Sequence, residues 1–131
     1  MTSPGFLALG DENFVSLTTF RKTGVGVSTP VWIAREGDTL IVTTPSGAGK
    51  VKRLRNNPRV TLSPSSRMGK VADGAPVLEG TAELIEDAAA VDEMAATFLG
   101  KYRLEYRLFM WIERRGKQGQ AQRIKVRIRE A

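Results

Sequence analysis

Thr43-Thr-Pro-Ser-Gly-Ala-Gly-Lys-Val-Lys-Arg-Leu-Arg-Asn-Asn-Pro58 is the stretch on which the architecture turns. It opens at the end of a β-rich run, Thr39-Leu-Ile-Val-Thr-Thr44, and passes into a short helix. Val51 and Leu54 stand three apart, the spacing of one helix face. Ser46-Gly47 is expected to cap the start, just before Ala48. Asn57 precedes Pro58 and so avoids the helical region, which ends the helix near Asn56 or Asn57. A second β-rich run, Arg59-Val-Thr-Leu-Ser63, follows at once.

The stretch also concentrates charge. Between Thr39 and Ala72 there are seven basic residues, Lys50, Lys52, Arg53, Arg55, Arg59, Arg67 and Lys70, and no Asp or Glu. The whole chain carries +6, so the remainder nets about −1. A local field of one sign gathers ligands of the other, so the ligand expected here is anionic. Lys50, Arg53 and Asn57 share one helix face, and Lys52 and Arg55 a second. A helix start favours phosphate through its free N–H groups and partial positive charge. The competing reading is a solvated basic helix, against which stands the lack of acidic i,i+4 partners. Ser46-Gly-Ala-Gly-Lys50 is not a P-loop, because Thr44 and Val51 occupy positions that need Gly and Ser or Thr. Gly24-Val-Gly26 lacks the third glycine of a dinucleotide fingerprint.

Working outward, Phe14–Phe20 and Val25–Ala34 read as strands joined by a turn at Arg21–Gly24, with Val25, Val27, Val31 and Ile33 on one face of the second. Pro30 cannot donate to a ladder and marks an edge, bulge or break. Thr39–Thr44, Arg59–Ser63, Val77–Ile85 and Gln122–Arg129 are the remaining strands. The last has Ile124, Val126 and Ile128 inward and Arg123, Lys125, Arg127 and Arg129 outward, as on a protected edge. Asp87 caps a helix to Leu99 with Val91, Met94, Ala95 and Phe98 buried and Gly100 as its stop. A further helix is expected over Tyr102–Arg115, apolar on more than one face, and a turn over Gly116–Gly119. Asp11 is expected to cap a short helix entering the domain. Six strands with hairpin-like connections and one inserted helix make an α+β fold, an antiparallel sheet closing into a small barrel with two to three flanking helices.

The 131 residues form one domain, with residues 1–10 expected to be loosely ordered. Hydrophobic content of 41% and charged content of 26% are ordinary for a soluble globular chain. No run approaches a membrane span and no signal peptide is visible, so the expected location is cytoplasmic. The chain has no Cys and no His. That removes thiol chemistry, the usual Ser/His and Cys/His nucleophile systems and most zinc sites. Difficult chemistry would fall to a bound cofactor.

Ser28-Thr-Pro-Val-Trp32, Gly49-Lys-Val-Lys-Arg-Leu-Arg-Asn-Asn-Pro-Arg-Val60 and Leu78-Glu-Gly-Thr-Ala82, in this order, resemble the pyridoxamine 5'-phosphate oxidase-like, FMN-binding split β-barrel superfamily. The resemblance runs from about Asp11 to Arg129 and is strongest to its actinobacterial coenzyme F-420 (deazaflavin)-dependent reductases. It implies a homodimer with cofactor sites at the subunit interface and hydride transfer to or from a small-molecule substrate, with no obligatory catalytic side chain. It implies Ser28, Pro30, Val31 and Trp32 beside the ring, Thr43, Thr44 and Ser46 by the ribityl and phosphate, and Lys50, aided by Lys52 and Arg55, on the phosphate. FMN is the alternative cofactor. Nucleic-acid binding is the alternative of another class, disfavoured because the basic strands lack interleaved aromatics.

Overall fold

The computed structural model describes residues 2–103, 107–108 and 122–131. Seven strands form one antiparallel sheet: β1 (Val15–Phe20), β2 (Gly26–Val31), β3 (Ile33–Glu36), β4 (Thr39–Pro45), β5 (Arg59–Pro64), β6 (Leu78–Ile85) and β7 (Arg123–Glu130). Their order is β2-β1-β5-β6-β7-β4-β3. The strand expected over Val25–Ala34 is thus two strands that part at Trp32, and Val25 lies in the preceding turn, 56% exposed. β2 and β3 are consecutive in the chain yet occupy opposite edges of the sheet. One residue can join them only if the sheet rolls until its edges meet at Trp32. This makes a split barrel, closed at that corner and unpaired beyond it. Pro30, opposite Ser16 on the edge strand β2, has its missing donor where no ladder bond is required.

Alternation along the strands fills the barrel. Val15, Leu17, Ile33, Leu40, Val42, Val60, Leu62, Ile124, Val126 and Ile128 point inward and are at most 1% exposed. Each contributes about 1.5–3 kcal/mol by burial. Gly80 faces Ile128 and the Arg129 carbonyl so closely that a Cβ would lie 2.7 and 2.9 Å from them. Helices plug the two ends. α1 (Pro4–Leu7) is capped by Ser3, whose N–H and hydroxyl both donate to Glu130 at the end of β7. Phe6 is fully buried and Leu9, in a following 3-10 turn at Ala8–Asp11, is 3% exposed. The N-terminal segment is therefore part of the core, not loosely ordered, and Asp11 ends the 3-10 turn in place of capping a helix. The apolar surface of Phe6 and Leu9 holds it there. α2 (Gly49–Asn56) covers the opposite end with Val51 and Leu54. Its N-cap is Ala48, with no side-chain acceptor, so Ser46 does not cap it.

α3 (Ala88–Tyr102) lies on the outer face, where Met94, Phe98 and Tyr102 pack on Ala34 and Ile41. The Asp87 carboxylate accepts from the Ala90 N–H at 3.0 Å, as its capping position requires. The helix runs through Gly100, the expected stop, because its last residues are tied down tertiarily. Lys101 Nζ donates to the carbonyls of Gly10, Glu12 and Ile33, and the Tyr102 hydroxyl accepts from the Ile33 N–H at 3.0 Å. Such bonds outweigh the ~1 kcal/mol cost of a helical glycine. Arg103, with φ 51°, ends it. Most of the helix expected over Tyr102–Arg115 and the Gly116–Gly119 turn lie outside the described residues. No helix among those described is long and apolar enough to cross a membrane.

β7 is not an edge, since it pairs with β4 and β6. Lys125, expected outward in solvent, is 1% exposed beneath the α3 face and pairs with Glu36 at 2.8 Å. Arg127 reaches the same carboxylate at 3.1 Å. A lysine this deep survives only with such a partner.

Candidate anion and cofactor site

Past the Trp32 corner the barrel wall has a seam. β2 approaches β4 but pairs only with β1. The register that pairs Ile33 with Val42, continued backward, sets Val31 against Thr44 and Thr29 against Ser46. Two buried hydroxyls at this seam, Thr29 Oγ1 and Thr44 Oγ1, have no hydrogen-bond partner in the protein. Buried orphan hydroxyls cost about 1–3 kcal/mol each, which makes them informative where they occur.

Beside the seam, at the start of α2, three cations converge. Arg53 donates through Nε to Thr19 Oγ1 at 2.6 Å. Its guanidinium folds over Gly49, where a Cβ would meet Nη1 at 2.9 Å. Arg123, paired in register with Pro45, donates through Nε to Thr43 Oγ1 at 3.1 Å. Lys50 stands between them, half-buried. Burial first, then the positive charges of Arg123 and Arg53, hold its pKa below the ordinary lysine value. Among the described residues no carboxylate or hydrogen-bond acceptor is bonded to Lys50. The first turn of α2 holds no acidic residue. A cation desolvated among cations is an unfavourable arrangement for the free protein, and a bound anion relieves it.

The residues singled out from sequence divide as follows. Thr43, Thr44, Ser46 and Lys50 come together at the end of β4 and the start of α2; Ser46 is exposed and its N–H donates to the Gln122 carbonyl at 2.8 Å. Ser28 and Pro30 are exposed on the outer row of β2. Ser28 shares a 2.6 Å hydrogen bond with Thr18, and Gly69 of the 65–77 loop packs on Pro30. The Val31 side chain belongs to the core at 6% exposure, leaving its backbone at the seam. Trp32, half-buried at the corner, stacks on Tyr102 with centroids 4.9 Å apart. Lys52 and Arg55 lie on a different side of α2. Lys52 is exposed, and Arg55 meets Glu86 at 3.4 Å with both side chains more than half exposed, a pairing worth little.

Sequence reasoning did not assign Arg53 or Arg123 to the site. For Arg53 the signal was present, three residues from Lys50 on the same face. For Arg123 there was none, because only the pairing of β7 with β4 brings it to Pro45.

The family model described as pyridoxamine 5'-phosphate oxidase matches residues 6–131. No curated protein matches the chain. Among solved structures, an F-420 reductase aligns with a TM-score of 0.65 at 18% identity, covering 99% of this chain and 96% of that one. An FAD-binding protein of Mesorhizobium loti aligns at 0.61 and 18%, covering 93% and 82%. The heme storage protein HutZ of Vibrio cholerae aligns at 0.68 and 11%, covering 100% and 92%.

Proposed function

We propose, from the premise that this chain belongs to the pyridoxamine 5'-phosphate oxidase family, that it is an oxidoreductase which binds coenzyme F-420 at the β2–β4 seam and acts on a small electrophilic organic substrate. The observation that carries this reading is Lys50, a half-buried cation with no bonded acceptor among the described residues and with Arg53 and Arg123 near it, beside a seam with two orphan hydroxyls. A phosphate-bearing ring cofactor matches both: the phosphate takes the cations, and the sugar-like chain takes Thr44 and Thr29. When bound, the ring would supply the hydride chemistry, which protein side chains do not provide. The protein's own part is binding and orientation. Arg53 and Arg123 are held in place by Thr19 and Thr43 before any ligand arrives, so little ordering remains to be done on binding. Trp32, braced by Tyr102, and the outer row Ser28–Pro30 form the wall for the ring. The Gly69 turn on Pro30 sets the substrate side.

Assembly as a homodimer completes the reading. Met68, Val77 and Val25 are 87%, 64% and 56% exposed, and a second copy would bury them. Nucleic acid is a poorer occupant. Phe20 and Phe14 lie under Arg59 and Arg67, and Trp32 under Tyr102, so these aromatics are already covered.

Parallel titrations with F-420 and FMN, read by ring fluorescence, test the proposal. Tighter binding of F-420 supports it. Preference for FMN moves the enzyme to flavin chemistry on the same fold. Binding of neither refutes the cofactor reading.

A further inference from the structure

Asp73, in the 65–77 loop, is the only aspartate of the chain that a glycine follows. Asp73 and Gly74 form the centre of a turn that the Ala75 N–H closes on the Ala72 carbonyl at 3.1 Å. Every residue from Val71 to Gly74 is exposed. Gly74 holds φ at 80°, and a Cβ placed on it would meet nothing within 4 Å. Neither the Asp73 carboxylate nor the Gly74 N–H has a hydrogen-bond partner among the described residues. The other aspartates are guarded. Asp11 precedes Glu12, whose N–H donates to the Leu9 carbonyl at 3.1 Å. Asp38 precedes the β-branched Thr39 at the start of β4. The Asp87 carboxylate is engaged on the Ala90 N–H, and Asp92 lies inside α3. Asparagine offers no equal site either: Asn57 precedes Pro58, which has no N–H, and Asn56 lies within α2, where its side chain donates to the Lys52 carbonyl. We propose that Asp73 is a site of conversion to isoaspartate through a succinimide formed with the Gly74 nitrogen, and that the folded structure leaves this step open at Asp73 while closing it at the other aspartates.

The step balances with water alone. The Gly74 nitrogen attacks the side-chain carboxyl carbon of Asp73, the N–Cγ bond forms, and the bond from Cγ to its hydroxyl oxygen breaks. The hydroxyl leaves as water with the amide proton, and a five-membered succinimide is closed. Glycine favours the attack because it has no side chain to obstruct the approach and resists the backbone rotation least. Water then adds to one of the two ring carbonyls. Addition at Cγ restores aspartate. Addition at the main-chain carbonyl breaks that carbon's bond to nitrogen, so the chain thereafter runs through Cβ and Cγ and the free carboxylate sits on Cα. Nothing is oxidised or reduced. The product has an extra main-chain atom inside the turn that Ala72 and Ala75 close. Gly69 of the same loop packs on Pro30, which under the proposed function is the substrate side, so conversion at Asp73 would alter that wall as the protein ages.

The test holds the purified chain at neutral pH and physiological temperature for weeks, beside a sample kept unfolded in urea. Isoaspartate is located by electron-transfer fragmentation of the tryptic peptide Val71–Lys101, which carries Asp73, Asp87 and Asp92 together. Its total is measured by methyl transfer from labelled S-adenosylmethionine with a protein isoaspartate methyltransferase. In the folded chain isoaspartate should accumulate at Asp73, at a rate within a few-fold of that in urea. Asp87 and Asp92 should stay unconverted there, because the helix must first open to release them. Asp73→Glu, whose ring closure is far slower, should remove the methyl-accepting signal. An Asp73 that stays intact in the folded chain, or conversion shared evenly among the three aspartates, overturns the proposal. The measurement needs no cofactor, so its outcome is separate from the titrations above. Conversion at Asp73 with no binding of F-420 or FMN would retain the isoaspartate site and remove the proposed function, and the converse result would do the reverse.

Discussion

Replacing Lys50 with Met should stabilise the free protein and weaken its ligand binding at the same time. Met keeps the length of the lysine stem, and so its packing, while removing the charge. In the free chain that charge is desolvated, faces Arg53 and Arg123, and has no acceptor. Its removal should add about 0.5–1 kcal/mol of stability, in the range of relieved functional-site strain, and raise Tm by roughly 2–5 °C. In the proposed complex the same ammonium would be one of three cations on the phosphate. A charge-assisted hydrogen bond is worth about 1.5–3 kcal/mol, so F-420 affinity should fall roughly 10- to 150-fold. Thermal denaturation without ligand and a fluorescence titration with it measure the two effects. A lower Tm in the variant, or unchanged affinity, would refute the reasoning. The pH dependence carries the same signature. The folded pKa lies below the ordinary 10.5, so the unfolded chain binds the proton more tightly. Stability from this residue therefore rises as pH climbs from the lowered value towards 10.5, and anion affinity falls across the same window. Lys101 is shifted in the same direction, so the difference between wild type and Lys50→Met isolates Lys50.

Glu36→Gln leaves Lys125 buried without a counter-charge and should cost about 3 kcal/mol in denaturant unfolding; a loss below ~1 kcal/mol would mean the pair is not holding β3 to β7. Burial pushes the Glu36 carboxyl up, but bonds from Lys125 and Arg127 bring it net below 4.5, so its contribution should persist above 4.5 and disappear as pH falls through the lowered value. Tyr102→Phe removes the acceptor of the Ile33 N–H and should cost about 1–3 kcal/mol; an unaffected melting curve would count against Tyr102 as the brace of the Trp32 corner. Gly80→Ala forces a methyl to 2.7 Å from Ile128 and should cost about 1–3 kcal/mol by the same assay. Light scattering should return the mass of two chains, and a monomer at micromolar concentration would contradict the dimer.

Much of this protein was legible locally. Period-two alternation placed Val31 and Ile33 on one face and Ile124, Val126 and Ile128 inward, because strand geometry alone sends neighbours to opposite faces. The Val51–Leu54 spacing and the Asn57-Pro58 stop bounded α2, and the run from Thr39 to Ala72 without an acidic residue gave the local excess of cations around Lys50. These are properties of short segments, and short segments carry them in their own composition. What the tertiary structure decided are the features that depend on which strands become neighbours. A continuous β-run from Val25 to Ala34 gives no sign that Trp32 divides it between the two edges of a rolled sheet. Lys125 reads as a solvated edge residue until β7 is found between β4 and β6, with α3 across its outer face. Arg123 enters the cluster only because β7 begins opposite Pro45, and Lys50 is perturbed first by its burial and then by the charge that this pairing adds to that of Arg53. Burial and charge proximity act through space, over contacts between residues tens of positions apart, so local sequence could supply the cations but not their convergence.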